Sequence, residues 1–190
     1  MNYDFQIKGK LINLRRTRWA DLDDYKRWNN PKLKAFQLDG PWYKEEKGLR
    51  AVINWRERWL ESGRLPPYPF LEIETKKEVH IGWVVSYYSQ RDPHAPEFGV
   101  SIYEDEYWEK GMGTEATHLW VDYLFNAYNF TRLGFCTWEG NKGMIHIGEK
   151  LGFIEEARIR KSCEVNGIFY DKIRMGILQS EWKEKKKHGV

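Results

Sequence analysis

The chain has 190 residues, with 31 Lys and Arg against 28 Asp and Glu, a formal net charge of +3, ten Trp, eleven Tyr and two Cys. That length suits one domain able to bury a core without staples, and the near balance of charge lacks the concentrated basic face of a nucleic-acid protein. No apolar run is long enough to span a bilayer, the first residues lack a signal-peptide layout, and Cys136 and Cys163 lie too far apart for a metal or redox pair; a cytoplasmic protein with buried free thiols, no metal and no membrane or nucleic-acid partner is expected.

In chain order, residues 5–15 read as a strand. A helix follows with Trp19, Leu22, Tyr25 and Trp28 three apart on one face and Asp21, Asp23 and Asp24 in its opening turn, where the helix dipole favours negative charge. Residues 32–43 read as irregular and end in Asp39-Gly40-Pro41-Trp42-Tyr43, a turn whose two aromatics suit either packing on the next helix or a substrate-side loop. A longer helix is expected from about Lys44 to Ser62. A β-hairpin then runs from Tyr68 to Glu74 and from Val79 to Ser89, and Asp92-Pro93-His94-Ala95-Pro96 reads as a loop. In the strand Glu97–Tyr103, alternation puts Phe98, Val100 and Ile102 on one face and Glu97, Gly99, Ser101 and Tyr103 on the other.

Met112, Ala116, Leu119, Trp120, Tyr123 and Leu124 then fall on one face of a central helix. Gly111 and Gly113 sit at its mouth, where the first backbone N–H groups have no partner inside the helix. Two residues without a Cβ let an anion approach those donors and the positive end of the dipole, with Thr114 adding a hydroxyl and Lys110 a charge. A bare turn carries the same glycine pair, so the pattern is read as a pyrophosphate cradle only in context.

A strand over Arg132–Trp138 must then lie parallel to the preceding one through a right-handed helical crossover. A short helix follows, carrying Met144, Ile147 and Leu151, and Gly152 ends it. Two strands, near Ala157–Val165 and Ile168–Leu178, are joined by Asn166-Gly167, a strong hairpin signal, and the lysine-rich tail reads as a solvated, partly frayed end. The expected fold is α+β in three layers: a mixed, mostly antiparallel sheet of about seven strands with one parallel βαβ unit and about four flanking helices. One domain is expected over residues 1–190, with a core over about 5–178 and a charged tail. Ligands of open sheets bind beyond strand carboxyl ends at such a parallel junction, and the glycine pair lies there.

Gly111-Met112-Gly113-Thr114-Glu115-Ala116, Asn141 and Glu149-Lys150-Leu151-Gly152-Phe153 come in the order, and on the elements, that resemble the GNAT acyltransferases. Leu14-Arg15, Asp21-Leu22-Asp23-Asp24, Trp28-Asn29-Asn30-Pro31 and Tyr107-Trp108-Glu109-Lys110-Gly111 resemble the branch of ribosomal-protein N-terminal acetyltransferases, the RimJ/RimL type. The resemblance implies acetyl-coenzyme A as donor and a primary amine as acceptor: a protein N-terminus, a polyamine or another small amine. It assigns the pyrophosphate to Lys110, Gly111, Met112, Gly113 and Thr114, the pantetheine arm to the backbone of Ser101, Ile102 and Tyr103, and a further cofactor contact to Asn141, which also suits an N-cap.

For the base that takes the amine proton, Glu97 is the first candidate and His94 the second. Trp42, Tyr43, Trp83 and Tyr87 suit a cation-holding acceptor pocket, and equally a core or the face of a homodimer. Two positions depart from the family: Gly148 replaces a tyrosine proposed to protonate the leaving thiolate, and Met144 replaces a serine. These departures motivate an alternative, a catalytically silent acyl-coenzyme A sensor on the same fold.

Overall fold

The computed structural model describes residues 5–30, 32–38, 47–62, 69–89 and 92–187. Eight strands hydrogen-bond in the order β1-β2-β3-β4-β5-β6-β8-β7, with six α-helices among the described residues. The α+β class stands as expected, with one more strand and two more helices. The chain divides into two compact units, Met1–Val85 with Val100–Ala116 and Ser86–Gly99 with Thr117–Val190.

In the first unit the anticipated single strand is a hairpin, β1 (Gln6–Lys8) and β2 (Ile12–Arg15). The cause is remote in sequence. The backbone N–H groups of Lys10, Leu11 and Ile12 converge on the Glu115 carboxylate at 2.7, 2.7 and 2.9 Å, which folds the chain at the turn between the strands. Helix α1 (Asp21–Trp28) buries Leu22, Tyr25 and Trp28, whereas Trp19 lies before the helix and is exposed. A short helix α2 (Lys34–Leu38) occupies the stretch expected to be irregular, and α3 spans Lys47–Ser62. Strands β3 (Phe70–Thr75) and β4 (His80–Ser89) pair antiparallel; the Thr75 hydroxyl accepts the N–H groups of Lys77 and Val79 to close the turn. Tyr25, Trp28, Ala35 and Tyr103 form a core cluster, joined by Leu33, Ile53, Trp83 and Trp108.

In the second unit β5 (Asp92–Ile102) meets β6 (Arg132–Trp138) in parallel through Glu97 and Gly134, and helix α4 (Met112–Tyr128) makes the crossover. Residues 92–96, expected to be a loop, extend β5 instead. Proline lacks a ladder donor, but its fixed φ is compatible with extended backbone. Helix α5 (Lys142–Leu151) ends at Gly152, whose φ of +84° makes the left-handed cap. Strands β7 (Ile154–Val165) and β8 (Ile168–Leu178) turn through Asn166 and Gly167 at φ +52° and +80°, as a two-residue hairpin loop requires. Phe98, Phe135 and Phe153 pack with ring centroids 5.4–5.6 Å apart. The tail is not frayed. It forms α6 (Gln179–Lys187), anchored by buried Trp182, whose indole donates to Asp122 at 3.2 Å, and by the Lys186–Asp122 ion pair at 2.6 Å.

Candidate active site

In the first unit, the backbone leading into α4 takes a left-handed conformation twice in three residues, at Glu109 (φ +59°) and Gly111 (φ +79°). A Cβ at Gly111 would meet only Leu11 Cδ1, at 3.4 Å, so glycine is needed there for its φ rather than for space. Lys110 and Gly111 are exposed, and α4 opens at Met112 with Gly113 and Thr114 in its first turn. These residues fit a diphosphate: helix N-terminal donors, small side chains and an adjacent ammonium.

Just before the loop, the Tyr103 N–H donates to the Ile81 carbonyl at 2.9 Å. Because successive residues of a strand point their backbone groups to opposite sides, Val100 and Ile102 direct theirs away from β4. The Trp108 indole already donates to the Ile102 carbonyl at 2.9 Å. A Cβ on Gly82 would fall 1.9 Å from the Ser101 carbonyl oxygen, so β4 carries glycine where the two backbones approach. The Tyr103 side chain is buried, stacked on Trp28 at 4.8 Å. Trp28 in turn donates to Glu104 at 2.7 Å.

Behind this strand end lies a buried charge network that the sequence reading missed. Glu72, 0% exposed, accepts from Tyr25 Oη (2.6 Å), Arg56 Nε (3.1 Å), His80 Nε2 (3.2 Å) and the Thr17 hydroxyl. Burial alone would raise its pKa, but Arg56 and His80 hold it well below the usual carboxylate range. Arg15 forks onto Asp21 at 2.7 and 2.8 Å and also donates to Glu74. Oxygens of Asp21 and Glu72 and a His80 nitrogen lie within 4.8 Å of one another, the spacing of metal donors, but Arg15 and Arg56 already supply the countercharge. The available signal was two carboxylates, Glu72 and Glu74, inside an otherwise apolar strand.

His80 places Nδ1 3.0 Å from Asp24 and Nε2 3.2 Å from Glu72, so both nitrogens must donate and the ring is an imidazolium. Burial alone would lower its pKa; the hydrogen bonds to Asp24 and Glu72 and the charges of Glu72 and Asp21 outweigh that and hold it at about 9. The folded value exceeds the unfolded one, so this stabilisation is complete below pH 6.5 and is lost as pH rises through about 9. Urea unfolding between pH 6 and 10 is expected to show stability falling on the alkaline side, with the fall abolished in His80→Gln. An unchanged pH slope in that variant would remove His80 as its source.

Arg56 also decides the aromatic faces. Its guanidinium carbon lies 4.3 Å from the Tyr25 ring centroid, 4.5 Å from Phe70 and 5.8 Å from Trp83. Trp83, expected to hold a substrate cation, therefore packs beside the chain's own cation, and its buried indole N–H has no hydrogen-bond partner among the described residues.

In the second unit Glu97, 7% exposed, accepts from Arg174 Nη2 at 2.7 Å and from the Cys136 thiol at 3.4 Å. Cys136 and Arg174 are register partners across β6 and β8, as are Trp138 and Lys172, so these four share the face of the sheet that Glu97 occupies. Burial first, then the charge and hydrogen bond of Glu97, push the Cys136 thiol up to about 11; it is half-buried rather than buried. Asn141 caps α5, its side chain accepting the Met144 N–H at 3.1 Å. A Cβ on Gly148 would lie 2.7 Å from Phe135 Cζ and 2.9 Å from Met175 Sδ, so that position faces a filled core and has no room for the family's tyrosine. Tyr87 is exposed. Trp42, Tyr43 and the His94 side chain lie outside the described residues.

Residues 12–154 match the family described as the acetyltransferase (GNAT) domain. The chain belongs to the GNAT acetyltransferase family. Members of this family use acetyl-coenzyme A. The chain is 35% identical over 180 residues to the N-acetyltransferase provisionally named YjcK of Bacillus subtilis (strain 168), covering 92% of this chain and 98% of that one. Shorter stretches, of 81 and 86 residues, are 31% identical to the provisionally named ribosomal N-acetyltransferase YdaF of Bacillus subtilis (strain 168) and 36% identical to spermidine N(1)-acetyltransferase of Escherichia coli (strain K12). They cover 43% and 45% of this chain and only 44% and 46% of those proteins. The YdaF match agrees with the RimJ/RimL-type resemblance. A crystal structure of spermidine N-acetyltransferase from Vibrio cholerae, in complex with CoA and spermine, has the same fold at a TM-score of 0.74 and 22% identity, over 92% of this chain and 99% of that one. No helix among the described residues is long and apolar enough to cross a membrane.

Proposed function

We propose that this protein transfers the acetyl group of acetyl-coenzyme A to a primary amine by direct attack, with both substrates bound together. The observation that carries the reading is the left-handed Gly111 just before a 17-residue helix, joined by a short acidic turn to a strand end whose outward backbone groups belong to Val100 and Ile102. Acetyl-coenzyme A supplies an acyl group on a good leaving thiolate; the residues above supply its grip. Lys110, Gly111, Met112, Gly113 and Thr114 hold the diphosphate, the outward backbone groups of Val100 and Ile102 serve the amide-rich arm in place of Ser101 and Tyr103, whose groups face β4, and Asn141 adds a contact while capping α5.

On the acceptor side the ammonium loses a proton and its nitrogen attacks the thioester carbonyl carbon. The C–N bond forms, the C–S bond breaks, the nitrogen gives up a second proton, and the thiolate takes one up. The products are an N-acetyl amine, free coenzyme A thiol and one net proton. Glu97 is the base for the first step, directly or through water. Cys136 beside it is a neutral thiol at working pH, which disfavours an acyl-cysteine intermediate and supports single-step transfer. Since Gly148 has no side chain and faces the core, that position does not protonate the thiolate.

Two measurements test this reading. Coenzyme A is expected to raise the melting temperature, since a ligand that binds only the folded state stabilises it. Gly111→Ala, forced toward a backbone conformation costing about 1–2 kcal/mol outside glycine, is expected to weaken coenzyme A binding about five- to thirtyfold. No thermal shift at millimolar coenzyme A would overturn the reading. The second reading, a silent acyl-coenzyme A sensor, is favoured by Gly148 and by the commitment of Glu97 to Arg174. It predicts the same thermal shift with no release of coenzyme A thiol on any amine.

A further inference from the structure

We propose that the acceptor is an amine carrying an anionic group, such as a carboxylate, and not a polycation; this rests on the transferase reading above. Recognition of a polyamine needs carboxylates or aromatic faces left for an external ammonium. In the first unit, the residues of the buried network spend both internally. Glu72 and Glu74 are paired with Arg56 and Arg15, Asp21 with Arg15, and Asp24 with Arg27 and His80, while Tyr25, Phe70 and Trp83 surround the Arg56 guanidinium. A substrate cation entering this network would have to displace a buried arginine.

In the second unit the face that bears Glu97 carries Arg174 and Lys172 beside it, and farther along Arg132 paired with Glu156. Arg174 and Lys172 lie two residues apart on β8, pointing to the same side as Cys136 and Trp138, their register partners. Arg174 is about one-third exposed even while paired with Glu97, and Lys172 is half-buried. Both stand close enough to Cys136 to act on its thiol electrostatically. An incoming ammonium with further positive charges meets like charge here. A carboxylate on the acceptor finds a guanidinium and an ammonium, which orient it while its amine turns to Glu97.

The test is coenzyme A thiol release from acetyl-coenzyme A by the full-length protein with charge-matched acceptors. Amino acids are offered as free acids and as amides, dipeptides beginning with Glu or with Lys follow, and spermidine and spermine complete the set. Rates are compared per unprotonated amine, because the carboxylate also changes amine basicity. The expected result is a kcat/KM at least tenfold higher for free acids than for their amides, with both polyamines at background. Lys172→Gln is expected to narrow the acid-to-amide ratio at least fivefold, chiefly through KM. Polyamine turnover equal to or above that of the acids overturns this proposal and leaves the transferase reading intact, as does a ratio that Lys172→Gln does not move. Thiol release from none of the acceptors, with coenzyme A still raising the melting temperature, overturns both.

Discussion

Replacing Arg56 with methionine is expected to lower the stability of the fold by about 3–5 kcal/mol, the cost of breaking a buried ion pair and leaving the His80 imidazolium to balance Glu72. Glu72 has no exposed surface, and Arg56 is itself 4% exposed, so water cannot take over the lost interaction. The guanidinium is also the cation that Tyr25 and Phe70 face at 4.3 and 4.5 Å, and methionine restores only the apolar part of that packing. The remaining donors to Glu72, from Tyr25, His80 and Thr17, would have to carry its whole charge. The check is urea unfolding at pH 7 of Arg56→Met, Glu72→Gln and the double variant. The double variant is expected to be more stable than Arg56→Met alone, because the uncompensated charge is gone. A loss below about 1 kcal/mol for Arg56→Met would mean that Glu72 does not depend on it.

Glu97→Gln is expected to lower kcat by about a hundred- to ten-thousandfold on whichever amine is the best acceptor, the range that a positioned general base supplies. The substitution is nearly isosteric, and the amide oxygen can still accept from Arg174 and Cys136, so the wall of the site should stand. The melting temperature and the coenzyme A thermal shift of the variant should therefore match the parent. A kcat within tenfold of the parent would remove Glu97 from the chemistry and leave it a partner that holds Arg174 in place. A loss of coenzyme A binding along with activity would instead give Glu97 a structural role.

Much of the architecture was legible because its signals are local. The threefold spacing of Leu22, Tyr25 and Trp28, the cap at Gly152 and the Asn166-Gly167 turn each act within a few residues, and each stands in the structure. The buried face of α4 keeps Ala116, Trp120 and Leu124 but adds Val121 and Phe125 in place of Leu119 and Tyr123. The errors arose where a distant partner overrode a local pattern. Residues 5–15 divide into two strands because Glu115 gathers three N–H groups from a segment more than a hundred positions away. Trp182 and Lys186 turned an apparently frayed tail into a docked helix by reaching Asp122.

The same division holds for the candidate site. Chain order and composition by themselves determined the fold class, the glycine loop and the helix it opens, since each depends on residue type at short spacing: glycine where φ is positive, apolar residues every three or four positions. Only the tertiary structure decided what the charged and aromatic side chains do. Tyr103 is a core ring, Trp83 sits beside an internal arginine, Gly148 faces a filled core, and Glu97 stands beside Arg174 from 77 residues away. The reason is physical: a buried charge takes as partner whichever opposite charge the packing brings within about 3 Å, and sequence distance says nothing about that.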